Sequence, residues 1–316
     1  MTEIVQAPVQ FGENDRLLGM VTQPGESPAV GVACLMLNMG ANHRVGPHRV
    51  NVKLAHALAR AGMVSLRFDL GGVGDSLAGG QAPDLQARAV DEIRAAMDLL
   101  QARLHIRKFI IAGMCSGAEH AISAALADPR VVGISTFDAF NYPDSRSRWR
   151  RFMHRAWAAP RHPAFAAKTL RWLGRTLTEW KAEKPMAGFF TENRSPKEIA
   201  QWFSESMACL TEWNVSVQML FSGSLNVSDR DRDQLGAFRD QAFVRKVHYE
   251  FCPELDHTAC TLKGQQLMVR AVGRWALSVA QRADPVRATH PAAMAGAAAK
   301  FPAVRPMHDA IPVPLH

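Results

Sequence analysis

A short glycine-flanked segment between an apolar run and a helix-prone stretch constrains this chain more than any other feature. Residues 113–117 read Gly-Met-Cys-Ser-Gly. A turn from strand to helix forces its central residue into a strained backbone conformation, so the positions two before and two after it must be small. Both are glycine when the turn is centred on Cys115, whereas centring it on Ser116 puts Met114 where little side chain is tolerated. The spacing therefore predicts that Cys115 is presented as a nucleophile at the end of a strand.

Apolar runs alternate with helical patterns along most of the chain, which predicts an α/β protein. A hairpin is expected over 9–23, and the later strands are separated by helices, a rhythm typical of a mostly parallel sheet with helices on both faces. The predicted strands are 30–37, 63–68, 109–112, 131–137, 215–221 and 246–251, and the predicted helices are 48–61, 84–103, 118–126 and 262–281.

Residues 141–212 interrupt this alternation and hold five of the seven tryptophans. We interpret them as a helical cap inserted into a core formed by 1–140 and 213–282. The Ala- and Pro-rich stretch 283–316 is expected to be disordered.

The formal net charge of +8 is concentrated in the predicted cap. Residues 144–184 carry eleven Lys or Arg and three acidic residues. This segment is either a solvated face or a surface for an anionic partner, such as a phosphorylated carrier, an acidic carrier protein or a membrane surface. Charge reversal at Arg148, Arg150 and Arg151 would distinguish a solvated face from a surface that binds an anionic partner. No nucleic-acid-binding motif accompanies the charge, so a nucleic-acid partner is not expected.

A histidine and an acid are expected to follow the nucleophile in chain order. His257 lies after the last predicted strand and before the last helix, which is the expected place. The acid is ambiguous, because Asn226 stands where an aspartate is usual. Asp229 is favoured, and Asn226, Asp231 and Asp138, which follows strand 131–137, remain alternatives.

A cysteine nucleophile favours attack on thioesters and activated esters. A nearby histidine and the N-terminus of the following helix are expected to lower the pKa of the Cys115 thiol. An acyl–cysteine intermediate then passes its acyl group to water or to another acceptor. The oxyanion formed on the way needs two backbone N–H donors, here expected from Ser116 and from the turn at Gly40.

The polar and basic loop 42–49 is expected to lie beside this site. It is either a solvated loop or a binding surface for a polar part of the substrate, through His43, Arg44, His48 or Arg49. Met114 is also expected to contact the substrate. The glycines of 69–76 lack the spacing of a dinucleotide fingerprint and have no phosphate-binding lysine, so we interpret that segment as a polar turn that supports the site.

Segments 67–76 and 113–117, together with His257, resemble the α/β-hydrolase superfamily over residues 8–282. Loop 42–49 followed by the glycine–aspartate segment is similar to the hydrolases associated with exosortase and exopolysaccharide gene clusters. The resemblance implies an eight-stranded, mostly parallel sheet, a nucleophile–acid–histidine triad, and neither cofactor nor metal. Cysteine in place of serine and the missing acid are departures from that pattern.

Three functions are compatible with these observations. The first is a thioesterase or esterase, the second an acyltransferase that passes the acyl group to an alcohol or amine, and the third a binding protein that kept the fold without catalysis. The substrate of the first two is an acyl ester or thioester, the latter carried by coenzyme A or a carrier protein. The five cysteines, an odd number without metal-type spacing, favour reduced thiols in the cytoplasm.

Overall fold

A computed structural model describes residues 3–25, 30–79, 84–147, 149, 153, 194–224 and 229–283. Most of the predicted cap, the three arginines singled out for charge reversal, Asn226 and the predicted disordered tail therefore lie outside the described residues. Among the described helices, none is long and apolar enough to cross a membrane.

Eight strands form one sheet in the order β1-β2-β4-β3-β5-β6-β7-β8. Strand β2 is antiparallel to its neighbours β1 and β4, and the remaining strands run parallel. The strands are β1 (Ile4–Phe11), β2 (Leu17–Pro24), β3 (Val32–Met36), β4 (Ser65–Phe68), β5 (Lys108–Met114), β6 (Val131–Phe137), β7 (Ser216–Ser222) and β8 (His248–Cys252).

Helices cover both faces of this sheet. They are α1 (Val50–Arg60), α2 (Leu85–Leu104), α3 (Ser116–Ala127), α4 (Pro196–Glu212), α5 (Ala242–Lys246) and α6 (Leu262–Ala283). The apolar residues of α1 and α6 pack in one core cluster, and those of α2, α3, α4 and α5 in another. Strand β5 alternates between the clusters, with Ile110 in the first and Phe109 and Ile111 in the second. The predicted hairpin, parallel sheet and flanking helices are confirmed.

Helix α4 changes the predicted limit of the cap. Its residues Phe203, Met207 and Leu210 are almost fully buried and belong to the same core cluster as α2 and α3. A capping box at its start, in which Ser195 and Glu198 each bond the other's backbone N–H, begins the helix after residue 194. Residues 196–212 are thus part of the core, because burial of their apolar face requires the sheet beneath them.

The strand order reverses direction between β3 and β5. The chain leaves β3 through α1 on one face to reach β4, and leaves β5 through α3 on the other face to reach β6. Loops that diverge in this way open a crevice at the carboxyl ends of the two strands, which is where open α/β sheets bind ligands. Together with the turn after β5 and the histidine after β8, this strand order is that of the α/β-hydrolase fold.

The glycines of the turn after β5 have no room for a side chain. A Cβ atom at Gly113 would lie 2.2 Å from the carbonyl oxygen of Gly117, and one at Gly117 would lie 2.6 Å from the carbonyl oxygen of Asn38. Both obstacles are backbone atoms, so helix α3 would have to move away from β5 and β3.

We expect the substitution Gly113→Ala to lower the free energy of unfolding by about 3 kcal/mol, the upper end of the usual cost of overpacking, because the obstacle is backbone. Gly273→Ala in helix α6 is the matched control. A Cβ atom at Gly273 would meet only Leu54, at 3.9 Å. This substitution should be neutral or stabilising by roughly 0.5–1 kcal/mol. Urea unfolding measures both, and equal effects of the two substitutions would contradict the packing described here.

Candidate active site

Cys115 stands at the tip of the turn between β5 and α3. Its backbone has φ 52° and ψ −116°, a conformation that residues other than glycine rarely adopt. The turn is held by hydrogen bonds from the Cys115 N–H to the Phe137 carbonyl and from the Ala118 N–H to the Cys115 carbonyl, at 3.0 and 3.1 Å. Cys115 is exposed as a result, whereas Cys34 in β3 is fully buried.

His257 lies beside this sulfur, in the loop between β8 and α6. Its imidazole is hydrogen-bonded to the Cys115 thiol on one side and, through Nδ1, to the Asp138 carboxylate at 3.1 Å on the other. The ring packs nearly parallel to Phe137, with centroids 6.3 Å apart. Its backbone N–H donates to the Ser224 hydroxyl at 3.0 Å. Since Nδ1 is engaged by Asp138, Nε2 is the nitrogen available to the sulfur.

The carboxylate that orients His257 belongs to Asp138, and not to the favoured Asp229. Asp138 follows the last residue of β6, and its side chain is fully buried. Besides the imidazole, it accepts hydrogen bonds from the Ser222 N–H at 2.6 Å and the Ser222 hydroxyl at 2.5 Å. Ser222 ends the neighbouring strand β7, so the acid from β6 is completed by donors from β7.

Asp229 is held elsewhere. Its carboxylate accepts hydrogen bonds from the Tyr249 hydroxyl and the Asp233 N–H. Asp231, another alternative, is exposed. The sequence signal for Asp138 was an aspartate placed directly after an apolar strand, at the sheet edge where the nucleophile also emerges.

The surroundings of Cys115 and His257 shift the pKa values of these two residues in the directions that acyl transfer needs. The hydrogen bond from His257 lowers the pKa of the Cys115 thiol, against the opposing effect of partial burial, and the Ser116 N–H lowers it further. The hydrogen bonds to Asp138 and Cys115 raise the pKa of His257 to about 10. Both shifts favour a thiolate next to an imidazolium over the neutral pair, as in cysteine–histidine catalytic pairs.

The two expected oxyanion donors lie next to each other. The Ser116 N–H points at the Cys115 sulfur. The Gly40 N–H donates to the Ser116 hydroxyl at 2.8 Å, which ties the loop after β3 to the first residue of α3. Gly40 has φ 55°, so the chain turns sharply at this position. For Gly40 to donate to a substrate oxygen, the Ser116 hydroxyl must release it.

Arg44, predicted to bind substrate, is instead part of an internal ion-pair network. Its guanidinium bonds the fully buried carboxylate of Asp69, and it donates to Asp75 at 2.7 Å and to His43 Nε2 at 2.8 Å. Asp69 also accepts from the Asn38 side chain at 2.9 Å. Segment 69–76 thereby supports the loop that carries Gly40, as predicted.

The ligand atoms of His43, Asp69 and Asp75 lie within 4.8 Å of one another, close enough to suggest a metal site. The Arg44 guanidinium bonds all three side chains and fills the position that a cation would take. The positive charge of Arg44 is thus paired with these neighbours, and His43 contacts Asp75 at 3.0 Å.

Met114 packs in the core with only 5% of its surface exposed, so it does not line an open binding surface.

Known proteins resemble this chain in structure at low identity. A putative alpha/beta hydrolase from Agrobacterium tumefaciens has 12% identity and a TM-score of 0.49, with 89% of this chain and 98% of that one covered. An alpha-beta serine hydrolase homologue from Coxiella burnetii has 16% identity and a TM-score of 0.47, with 87% and 97% covered. The esterase domain of a Rhodothermus marinus protein has 15% identity and a TM-score of 0.48, with 87% and 98% covered.

No protein-family profile matches the chain, and no curated protein matches it in sequence. The assignment of the fold accordingly rests on the strand order and on the positions of Cys115 and His257.

We expect the rate at which iodoacetamide alkylates Cys115 to rise with pH, with a midpoint below the usual pKa of a thiol. The lowered pKa means that the thiolate persists as the pH falls, until the sulfur is protonated. In His257→Ala the stabilising partner is lost, so the midpoint of the alkylation profile should move to higher pH. Peptide mass mapping separates Cys115 from Cys260, the other exposed cysteine. The same midpoint in both proteins would show that His257 does not stabilise the thiolate.

Proposed function

We propose that this protein is an acyl hydrolase that cleaves thioesters or esters through an acyl–Cys115 intermediate. The observation that carries the proposal is the continuous chain from the exposed Cys115 sulfur through the His257 imidazole to the buried Asp138 carboxylate. A nucleophile, a base and a group that orients the base, each within hydrogen-bonding reach of the next, are the parts that covalent acyl transfer requires.

Acylation uses the thiolate and the imidazolium together. The Cys115 thiolate attacks the carbonyl carbon, and the oxyanion forms next to the Ser116 N–H, where the Gly40 N–H can join it. When the tetrahedral intermediate collapses, the bond to the leaving thiol or alcohol breaks and the His257 imidazolium gives that group its proton. The products of this half-reaction are the acyl–Cys115 thioester, the free leaving group and a neutral imidazole.

Deacylation uses the neutral imidazole. His257 takes a proton from water, the hydroxide adds to the acyl carbon, and the bond to the Cys115 sulfur breaks to release the carboxylic acid and restore the thiolate. In the acyl enzyme the sulfur carries no charge, so one of the two groups that raise the pKa of His257 is lost. Asp138 still raises it, because its carboxylate stays hydrogen-bonded to Nδ1. The hydrolytic step should therefore speed up as the pH rises through the pKa of His257.

The binding-protein alternative rested on the absence of an acid at the usual position. The contact between Asp138 and His257 supplies an acid from another strand, which favours an enzyme over a binding protein. An acyltransferase uses the same first half-reaction and differs only in its acceptor, so the fate of the acyl enzyme decides between transfer and hydrolysis.

Intact-mass analysis after mixing with short- and medium-chain acyl thioesters tests the proposal. We expect one acyl adduct per chain, which accumulates below neutral pH and disappears as the pH rises. Cys115→Ala should abolish the adduct and turnover. Cys260→Ala is the matched control, because Cys260 is also exposed, and it should retain both. An adduct that persists until an alcohol or amine is added favours the acyltransferase, and an unreactive Cys115 contradicts both enzymatic functions.

Exchanging the two candidate acids tests the role assigned to Asp138. Asp138→Asn should lower kcat/KM by about 100-fold, because an amide neither stabilises the imidazolium nor holds its tautomer. Asp229→Asn, which changes a carboxylate bonded to Tyr249, should stay within about threefold. Thermal unfolding of both variants checks that they are folded. A larger loss for Asp229→Asn than for Asp138→Asn would overturn the assignment.

A further inference from the structure

A pocket of about 340 Å³ lies directly beside the expected oxyanion donors. It is enclosed by the loop after β3, the loop after β4 and the first half of helix α2. Gly40 and Ser116 form one end of its lining, and Leu70, Val73, Leu85 and Ala89 contribute apolar walls. The mechanism described above does not use this space.

Two of the three ionisable residues that line the pocket, Glu92 and His120, are paired or uncharged within the protein. Glu92 lines the pocket, and its carboxylate pairs with Arg16 at 2.7 Å and accepts the Gly71 N–H at 2.8 Å. Burial lowers the pKa of His120 to about 4, so this lining residue is uncharged at neutral pH. Arg88 also lines the pocket and is half-buried, and the alkyl stem of an arginine can pack along an apolar ligand. The space is therefore suited to an uncharged, apolar group.

The pocket lies beside Ser116 and Gly40, and this position indicates which part of a substrate would enter it. A carbonyl oxygen that accepts from the Ser116 N–H leaves the two other substituents of the carbonyl carbon to point away from that donor. Ser116 and Gly40 carry the two expected oxyanion donors and also line the pocket, so a chain attached to the same carbon lies next to the pocket.

We propose that this pocket binds the acyl chain of the substrate and selects apolar chains of medium length. The proposal rests on the acyl-transfer function of Cys115. A water molecule occupies about 30 Å³ in the liquid. Since a methylene group has a similar size, the pocket has room for about ten of them. An acetyl group leaves most of this apolar space unfilled, and chains much longer than decanoyl exceed it.

Ala89 is the position at which the length limit can be changed. It lies on α2 with 4% of its surface exposed, and a longer side chain there would occupy the pocket. In Ala89→Met we expect kcat/KM for decanoyl thioesters to fall by about 20-fold relative to acetyl thioesters, with acetyl turnover within about twofold of the unsubstituted protein. Ala102→Met, at an exposed position of the same helix, is the matched control and should keep the original chain-length profile.

Leu85→Ala provides a variant that does not depend on packing a larger group. Leu85 has 40% of its surface exposed, so its truncation should leave the fold intact while it widens the pocket. We expect it to shift the preference toward chains longer than decanoyl. A chain-length profile unchanged in both Ala89→Met and Leu85→Ala would overturn the proposal.

A binding measurement keeps this test separate from the chemistry. Decanoate is titrated calorimetrically into Cys115→Ala, with and without Ala89→Met. We expect binding that the second substitution weakens by about tenfold. If Ala89→Met weakens decanoate binding but the unsubstituted protein shows no acyl transfer, the result would support the proposed pocket and contradict the proposed function. Acetyl transfer through Cys115 without decanoate binding would contradict the pocket alone.

Discussion

The close approach of three backbone segments around Cys115 is the constraint on which the rest of the site depends. Gly113 lets β5 contact the start of α3, and Gly117 lets α3 contact the loop after β3. Because α3 packs this closely, the chain turns sharply at Cys115, which adopts a positive φ at the end of β5. The same approach brings the loop after β3 against Ser116, so the nucleophile and both oxyanion donors are positioned by one packing contact.

The electrostatics of the site follow from a buried charge that is fully hydrogen-bonded. The Asp138 carboxylate has no exposed surface, and such a charge is tolerated only where donors surround it. Ser222 supplies two of these donors and His257 the third, so the favoured form of the imidazole is protonated. A protonated imidazole in turn stabilises the thiolate. The acid thus acts on the sulfur through the histidine, without contact with the substrate.

Local sterics and chain order could be predicted from the sequence, but contacts between distant loops could not. The turn at Cys115 and the place of His257 depend on neighbouring residues and on the order of the strands. The acid depends on which strand end faces the imidazole, and that is set by the lateral pairing of β6 with β7. Arg44 has the appearance of a free cation in sequence, because its partner Asp69 lies 25 residues away.

An NMR titration of the His257 ring tests the thiolate–imidazolium pair most directly. We expect an imidazolium throughout the neutral range, with a midpoint near 10, because both Asp138 and the Cys115 thiolate favour the charged ring. In Cys115→Ala the midpoint should fall and still lie above 6.5, the ordinary value for histidine. A midpoint at or below that value in the unsubstituted protein would contradict the thiolate–imidazolium pair.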